Sequence, residues 1–185
     1  ISIEERWKTN KHKGGILWFT GLPGSGKSTL AFELESILFQ KGTQVYVLDG
    51  DNIRQGLSSD LGFSPTDRTE NIRRIGEVGT LFADAGFIVI TAFISPYRKD
   101  RELARKVAGA FFNEIYIKAG VTTCEERDPK GHYQLARIGK IPEFTGVSAP
   151  YEEPNDPELV VDTENQSIDQ CKKHLVKFIR TRFMQ

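Results

Sequence analysis

The sequence predicts an α/β fold in three layers, a mainly parallel five-stranded sheet with helices on both faces, and three observations predict it. Apolar, β-branched runs of strand length recur along the chain, helical patterns separate them, and the first run passes directly into a glycine-rich loop followed by a helix. The runs occupy residues 16–20, 44–48, 87–93 and 112–117, with a weaker fifth at 159–161. Between the first two, residues 28–40 carry Leu30, Ala31, Leu34, Ile37 and Leu38 at helical spacing, and Gly42 follows as a stop. Between the second and third, Ser64-Pro65 followed by Asp67 has the composition of a helix start, and Ile72, Ile75, Val78 and Phe82 continue one face to about Ala85. Such alternation implies right-handed crossovers, with ligands gathered at the carboxyl ends of the strands.

With 185 residues and 38% hydrophobic content, the chain suits a single domain, expected to span residues 1–185. Its 25 Lys and Arg balance its 25 Asp and Glu, so no global charge excess points to a nucleic-acid or membrane-surface partner. Binding charge must then be local. Cys124 and Cys171 are too few and too far apart for a disulfide scaffold or a Cys-x-x-Cys zinc site, and reduced thiols are expected. No apolar run approaches a membrane span, and the first residues are polar and charged rather than signal-like, so a soluble, cytoplasmic protein is expected. Residues 128–157 break the rhythm: Gly131, Gly139, Pro142, Gly146, Pro150, Pro154 and Pro157 punctuate a stretch rich in basic and aromatic residues. An irregular segment of that length in a compact domain reads as a lid or binding loop, here placed at about residues 128–152.

Directly after the first strand stands Gly21-Leu22-Pro23-Gly24-Ser25-Gly26-Lys27-Ser28, which satisfies G-x-x-x-x-G-K-[ST] in the strand–loop–helix context the motif requires. Glycines allow backbone N–H groups to turn inward around phosphate oxygens, and the helix N-terminus adds partial positive charge. Lys27 can reach the β- and γ-phosphates of ATP, the Ser28 hydroxyl can ligate Mg²⁺, and Thr29 supplies a second hydroxyl. The predicted architecture is therefore a three-layer P-loop NTPase fold with a lid segment. A guanine-reading NKxD after a strand is missing, since the one Asn-Lys pair, Asn10-Lys11, precedes the first strand and lacks the Asp. The third strand ends Thr91-Ala92-Phe93-Ile94-Ser95-Pro96, without the acidic end of a motor-type ATPase, which leaves a small-molecule kinase.

On the acceptor side, the second strand ends in Asp49-Gly50-Asp51-Asn52-Ile53-Arg54. Carboxylates at that strand end can organise Mg²⁺ and its waters, or orient an acceptor hydroxyl and take its proton; an Asp-Gly turn, or an N-cap by Asp51, would use the same residues structurally. Arg54, Arg68, Arg73 and Arg74 gather in a chain without net charge, and Arg68 shares a helix face with Asn71. Guanidinium forks suit phosphate or sulfate and Asn can read a base or ribose, although a solvated helix face would also present such arginines. Phe63 and Phe144 lie in loop-like segments, where they either sandwich a purine or pack beneath their loops.

These residues together resemble the APS kinase (adenylyl-sulfate kinase) family of P-loop kinases. The resemblance runs from Trp7 through the phosphate loop, DGDN-I-R at Asp49 to Arg54, Asp60-Leu61-Gly62-Phe63, ENIRRIGEV, FISPYR, ERDPKG, Phe144-Thr145-Gly146 and Asp156 to Thr163, in the family's order. It implies transfer of the γ-phosphoryl group of MgATP to the 3′-hydroxyl of adenylyl sulfate (APS). It further implies that Asp51, Asn52, Ile53, Arg54, Phe63, Arg68, Asn71, Ile94, Ser95, Lys130 and Phe144 surround APS, with Phe63 and Phe144 flanking its adenine. Lys27, Asp51 and Ser95 are the implied catalytic set, with Ser95 chiefly an APS contact at a position recorded as phosphoserine in bacterial members, and Ser28 with Asp49, the latter directly or through water, would hold Mg²⁺. The family also implies a mobile lid, a homodimer, and fusion or association with an ATP sulfurylase in some members. A kinase for another small anionic acceptor, or a silent nucleotide-binding domain attached to a sulfurylase, are the rival readings. Three departures stand out: Pro23 where the loop usually has Ser, Lys118-Ala119-Gly120-Val121 in place of Asp-x-Pro-Leu, and Glu143 in place of a common Gly.

Overall fold

The computed structural model describes residues 1–184. Its elements run α1 (Ile3–Asn10), β1 (Gly15–Thr20), α2 (Lys27–Phe39), β2 (Val45–Asp49), α3 (Gly50–Gln55), α4 (Pro65–Asp84), β3 (Ile88–Ala92), α5 (Arg98–Ala108), β4 (Phe112–Lys118), α6 (Val121–Arg127), α7 (His132–Arg137), β5 (Leu159–Asp162) and α8 (Ile168–Phe183). The strands form one sheet in the order β2-β3-β1-β4-β5, every neighbouring pair parallel. All five predicted strands are present, displaced by a residue or so at their ends, and the helix predicted over 28–40 is α2.

Every residue of β1 is buried, because the strand is paired on both edges and covered on both faces. Strand alternation divides the core between those faces. Leu17, Phe19, Val47, Ile90, Ile115 and Ile117 meet Leu30, Leu34 and Leu38 of α2 and Leu175 and Ile179 of α8. On the opposite face Ile16, Trp18, Leu48 and Val89 meet Ile72 and Ile75 of α4 and Ala104 and Ala108 of α5. Because β1 lies between β3 and β4, the connections leaving the sheet diverge there, and the crevice that opens beyond its carboxyl end is where the phosphate loop begins.

Helix starts follow local chemistry. Ser64 caps α4, its hydroxyl accepting from the Asp67 N–H at 3.2 Å, with Pro65 in the first turn as the sequence predicts. For α3 the cap is Asp49 rather than Asp51: its backbone is still extended at the end of β2, and its Oδ1 accepts from the Asp51 N–H at 2.9 Å. Both cysteines are free and buried. Among the described residues, no helix is long and apolar enough to cross a membrane.

The segment beginning at Asp128 is irregular as the sequence predicts, apart from one short helix. It contains α7, whose first turn is held by the Asp128 carboxylate accepting from the N–H groups of Tyr133 and Gln134, both at 3.1 Å. It also carries a small core of its own, in which Tyr133, Ala136 and Phe144 pack with Leu22, Ala119 and Cys124, and Ile141, Val147 and Tyr151 close against them. The Tyr133 hydroxyl donates to the Pro23 carbonyl at 2.9 Å, so the lid rests on the phosphate loop.

Glu143, which stands where the resembled family commonly has glycine, adopts φ 51°, the left-handed region. An L side chain there costs about 1–2 kcal/mol, whereas glycine enters freely at an entropic cost of about 0.5–1 kcal/mol. Glu143→Gly is therefore expected to stabilise the fold by up to about 1 kcal/mol, raising Tm by roughly 2–4 °C in a thermal unfolding scan. An unchanged or lower Tm would contradict the strain assigned to this position.

Candidate active site

The phosphate loop connects the end of β1 to the first turn of α2, and its glycines are required by contact as well as by conformation. Gly21 has φ 156° and a Cβ there would lie 2.4 Å from the Ile117 carbonyl oxygen; Gly24 has φ 78° and its Cβ would lie 2.8 Å from the carbonyl oxygen of Cys124. Lys27 is only 7% exposed. Its ammonium donates to the carbonyls of Leu22 at 2.7 Å and Gly21 at 2.9 Å, with Ser25 Oγ at 3.4 Å, so the loop's own oxygens solvate it. Burial pulls its pKa down to about 8, opposed by the negative charge of Asp49.

Ser28 Oγ donates to Asp49 Oδ2 at 2.7 Å, joining the start of α2 to the end of β2. One hydroxyl and one carboxylate are hard oxygen donors that fit Mg²⁺, which keeps several waters and takes phosphate oxygens as its remaining ligands. Consistent with so open a site, no group of three or more His, Cys, Asp or Glu among the described residues is placed to hold a metal. Thr29 is exposed on the first turn of α2, Gly26 caps the helix, and the Ser25 carbonyl accepts from Thr163 Oγ1 at 2.8 Å.

Acceptor-side groups converge from α3, α4, the turn after β3 and the lid. Asp51 is exposed and pairs with Lys130 of the lid at 3.1 Å. Asn52 turns inward: Oδ1 accepts from the Asp49 N–H and Nδ2 donates to the Val47 carbonyl, both at 3.0 Å, so its side chain shapes the strand end. Ile53 is buried in the core beneath α4. Arg54 donates to the carbonyls of Leu61 and Gly62 at 3.1 and 3.0 Å, and its guanidinium lies 4.1 Å over the Phe63 ring. Burial first, and the like charge of Arg68 second, lower its pKa, an environment an anion would relieve.

Arg68 reaches across to the lid, donating to the Glu143 carbonyl at 2.7 Å, to Thr145 Oγ1 at 3.2 Å and, on its own side, to the Phe63 carbonyl at 2.9 Å. Three residues on, Asn71 is 5% exposed and its Oδ1 has no hydrogen-bond partner, a buried acceptor that a substrate hydroxyl or amine would satisfy. Of the two rings expected to flank adenine, Phe63 stands 67% exposed, whereas Phe144 is buried edge-on against Tyr133 with centroids 5.0 Å apart. The Ile94 carbonyl accepts from Thr20 Oγ1 at 2.8 Å. Ser95 is 2% exposed at φ 41°, and its hydroxyl accepts from the Trp18 indole N–H at 3.2 Å. That left-handed conformation costs about 1–2 kcal/mol, so the turn is held by its surroundings.

Arg73 and Arg74 do not join this group. Both pair with Glu70, at 2.8 and 2.9 Å, and Arg74 also with Asp60 at 2.6 Å, a surface network on α4. Arg101, Arg127 and Thr163 enter the site unforeseen. Arg127 Nη2 donates to the Thr163 carbonyl at 2.6 Å beside the phosphate loop. Arg101 is buried behind the Ser95 turn, and its neighbours Arg98, Lys99, Asp100 and Glu102 give it the sequence signature of a solvated helix. The ERDPKG segment was the available signal for Arg127, but it does not distinguish a buried from an exposed arginine, and Arg101 lies three residues beyond FISPYR, outside both motifs.

Residues 13–162 match the family described as adenylylsulphate kinase. The chain is 57% identical to a probable adenylyl-sulfate kinase of Bacillus subtilis over 183 residues, covering 98% of this chain and 93% of that one. It is 54% identical to the adenylyl-sulfate kinase of Staphylococcus carnosus, with 97% and 90% covered. Among solved structures, the APS kinase of Mycobacterium tuberculosis in complex with AMPPNP and APS superposes with a TM-score of 0.87 at 47% identity, covering 91% of this chain and 98% of that one. On the extent of these matches and on the site that accompanies them, the chain belongs to the adenylylsulphate kinase family.

Proposed function

We propose that the chain transfers the γ-phosphoryl group of ATP to the 3′-hydroxyl of adenylyl sulfate, giving 3′-phosphoadenylyl sulfate and ADP. The observation that carries this reading is the joining of donor and acceptor sides through Asp49: one carboxylate oxygen holds Ser28 of the phosphate loop, and the other starts the helix that bears Asp51 and Arg54. The family supplies the acceptor's name, and the cationic groups of α3, α4 and the lid supply the physical reason for an anionic one.

In this reading Lys27 leaves the loop carbonyls for the β- and γ-phosphates, and the loop N–H groups hold the remaining oxygens. Ser28 and Asp49, the latter directly or through water, would hold Mg²⁺, which would supply neutralisation of phosphate charge. Arg54, Arg68 and Asn71 seat adenylyl sulfate, the open face of Phe63 takes the adenine, and Ile94 and Ser95 line the acceptor through their turn. The 3′-oxygen forms a bond to the γ-phosphorus as the bond to the β-phosphoryl oxygen breaks; the hydroxyl proton passes to Asp51 and ADP departs. Lys130, paired with Asp51 in the free chain, is released toward the substrate's anionic groups. Lid closure then excludes water and limits ATP hydrolysis. A homodimer, implied by the resemblance, and a cytoplasmic location, expected from the sequence, belong to the same proposal.

A coupled assay of ADP release with and without adenylyl sulfate tests the reaction, and a panel of other anionic acceptors tests its specificity. Lys27→Ala is expected to lower kcat/KM by roughly 10²–10³-fold, the loss typical of one removed electrostatic donor. Asp51→Asn should lower kcat by roughly 10²–10⁴-fold with little change in the KM for ATP, as loss of a general base does. An active Lys27→Ala enzyme would sink the donor assignment.

The pH dependence follows from the depressed pKa of Lys27. Its folded value, about 8, lies below the ordinary lysine value of 10.5. Between those values the unfolded chain holds the proton and the folded chain does not, so this group's contribution to stability rises with pH across that window. Nucleotide binding needs the ammonium, so affinity moves the opposite way. The dissociation constant of a non-hydrolysable ATP analogue should rise by up to about tenfold per pH unit above pH 8. Calorimetry in buffers of different ionisation enthalpy should detect proton uptake on binding at pH 8, and a pH-independent affinity would count against it.

A further inference from the structure

We propose that Arg101 is a positioning residue for the acceptor, one that clamps the Ile94–Ser95 turn to the fixed end of the lid; the proposal rests on the reaction assigned above. Arg101 is 2% exposed and every nitrogen of its guanidinium is engaged. Nε donates to Glu114 Oε1 of β4 at 2.6 Å, Nη1 to the Ser95 carbonyl at 2.6 Å, and Nη2 to the Glu152 carbonyl at 2.7 Å. A single planar cation on α5 thus joins the sheet, the turn after β3 and the chain leaving the lid.

The turn needs such a clamp. Ser95 keeps a left-handed backbone, a conformation that persists only where the surroundings over-determine it. Its hydroxyl is held by Trp18 and its carbonyl by Arg101. On the other side of the cation, residues 151–153 are stitched to residues 94–98. Glu152 N–H donates to the Pro96 carbonyl at 2.9 Å, Arg98 N–H to the Glu152 carboxylate at 2.8 Å, and Arg98 Nε to the Glu153 carbonyl at 2.7 Å. The Tyr151 hydroxyl meets Thr20 Oγ1 at 3.0 Å. The same few residues therefore set where the acceptor turn lies and where the lid is anchored.

Stability alone is a weak reason for a buried pair such as Arg101–Glu114, because apolar residues of similar volume often serve a core as well. Geometry is a better one. Three acceptors arranged around a rigid fork cannot be satisfied together by a lysine ammonium. The phosphate loop makes no bond to Arg101, so the effect of losing it is expected on the acceptor and not on the donor.

The test is steady-state kinetics of Arg101→Lys with each substrate varied in turn, alongside thermal unfolding. We expect kcat/KM for adenylyl sulfate to fall by at least about tenfold while the KM for ATP stays within about twofold, and more ADP to be released per product formed than in the parent enzyme. Equal losses for both substrates, or a lower Tm with unchanged kinetics, would show a merely structural role and overturn the proposal. Should Arg101→Lys fail to fold, Glu114→Gln removes the charge that orients Arg101 while leaving it in place; the same split supports the clamp and parent-like kinetics refutes it. A parent enzyme that releases no ADP in response to adenylyl sulfate would instead defeat the reaction assignment, so the two failures are distinguishable.

Discussion

Parallel pairing of β1 with both β3 and β4 is the constraint on which the rest of the molecule depends. A strand paired on both edges and covered by helices on both faces must be apolar on both, and β1 is buried along its whole length. It can end only at the carboxyl edge of the sheet, where the chain has to reverse into α2 against the backbone of β4. That reversal demands glycine at Gly21, where the Ile117 carbonyl leaves no room for a side chain. The loop's carbonyls then face inward, and the buried Lys27 ammonium satisfies them. The neighbouring strands bring Asp49 from β2 and the Ser95 turn from beyond β3 to the same edge. Donor and acceptor chemistry meet because the sheet delivers every strand end to one crevice.

A second regularity follows from the cost of leaving buried charge without partners. The cations that the proposed reaction brings to substrate are held by the protein's own oxygens: Lys27 by loop carbonyls, Lys130 by Asp51, Arg68 by the Glu143 carbonyl and Arg54 by the carbonyls of Leu61 and Gly62. For the buried Lys27, binding of an anion would then be an exchange of partners rather than a desolvation from water. Arg68 and Lys130 span between the body and the lid, so their exchange also loosens or re-forms the contacts that keep the lid down. Asn71 keeps a buried side-chain oxygen without a hydrogen-bond partner among the described residues.

Much of this was legible beforehand because it depends on local pattern. The strand runs and the α2 periodicity come from side-chain alternation and helical spacing, and the Ser64-Pro65 start is a local hydrogen bond. The phosphate loop is contiguous in sequence, so its residues and its chemistry could be read together. Within residues 128–152 the sequence conceals α7 and a small core, because Gly and Pro punctuation outweighs apolar residues separated along the chain, with Leu22 contributed by the phosphate loop itself. The cap of α3, expected at Asp51, falls at Asp49 because β2 runs one residue beyond its apolar stretch.

The sequence by itself determined the α/β architecture, the donor site from Gly21 to Ser28 and, through the family's motifs, the acceptor. These rest on neighbours along the chain, where spacing and composition carry the physics. Tertiary structure alone decided which side chains are buried and what they hold: Arg68 reaching Glu143 and Thr145, Phe144 packed against Tyr133, and Arg101 closed around Ser95, Glu114 and Glu152. Charge and hydrogen-bonding capacity belong to the side chain, but their use depends on solvent access and on partners more than 50 positions away in the chain for contacts such as Arg101–Glu152, and no local pattern records either.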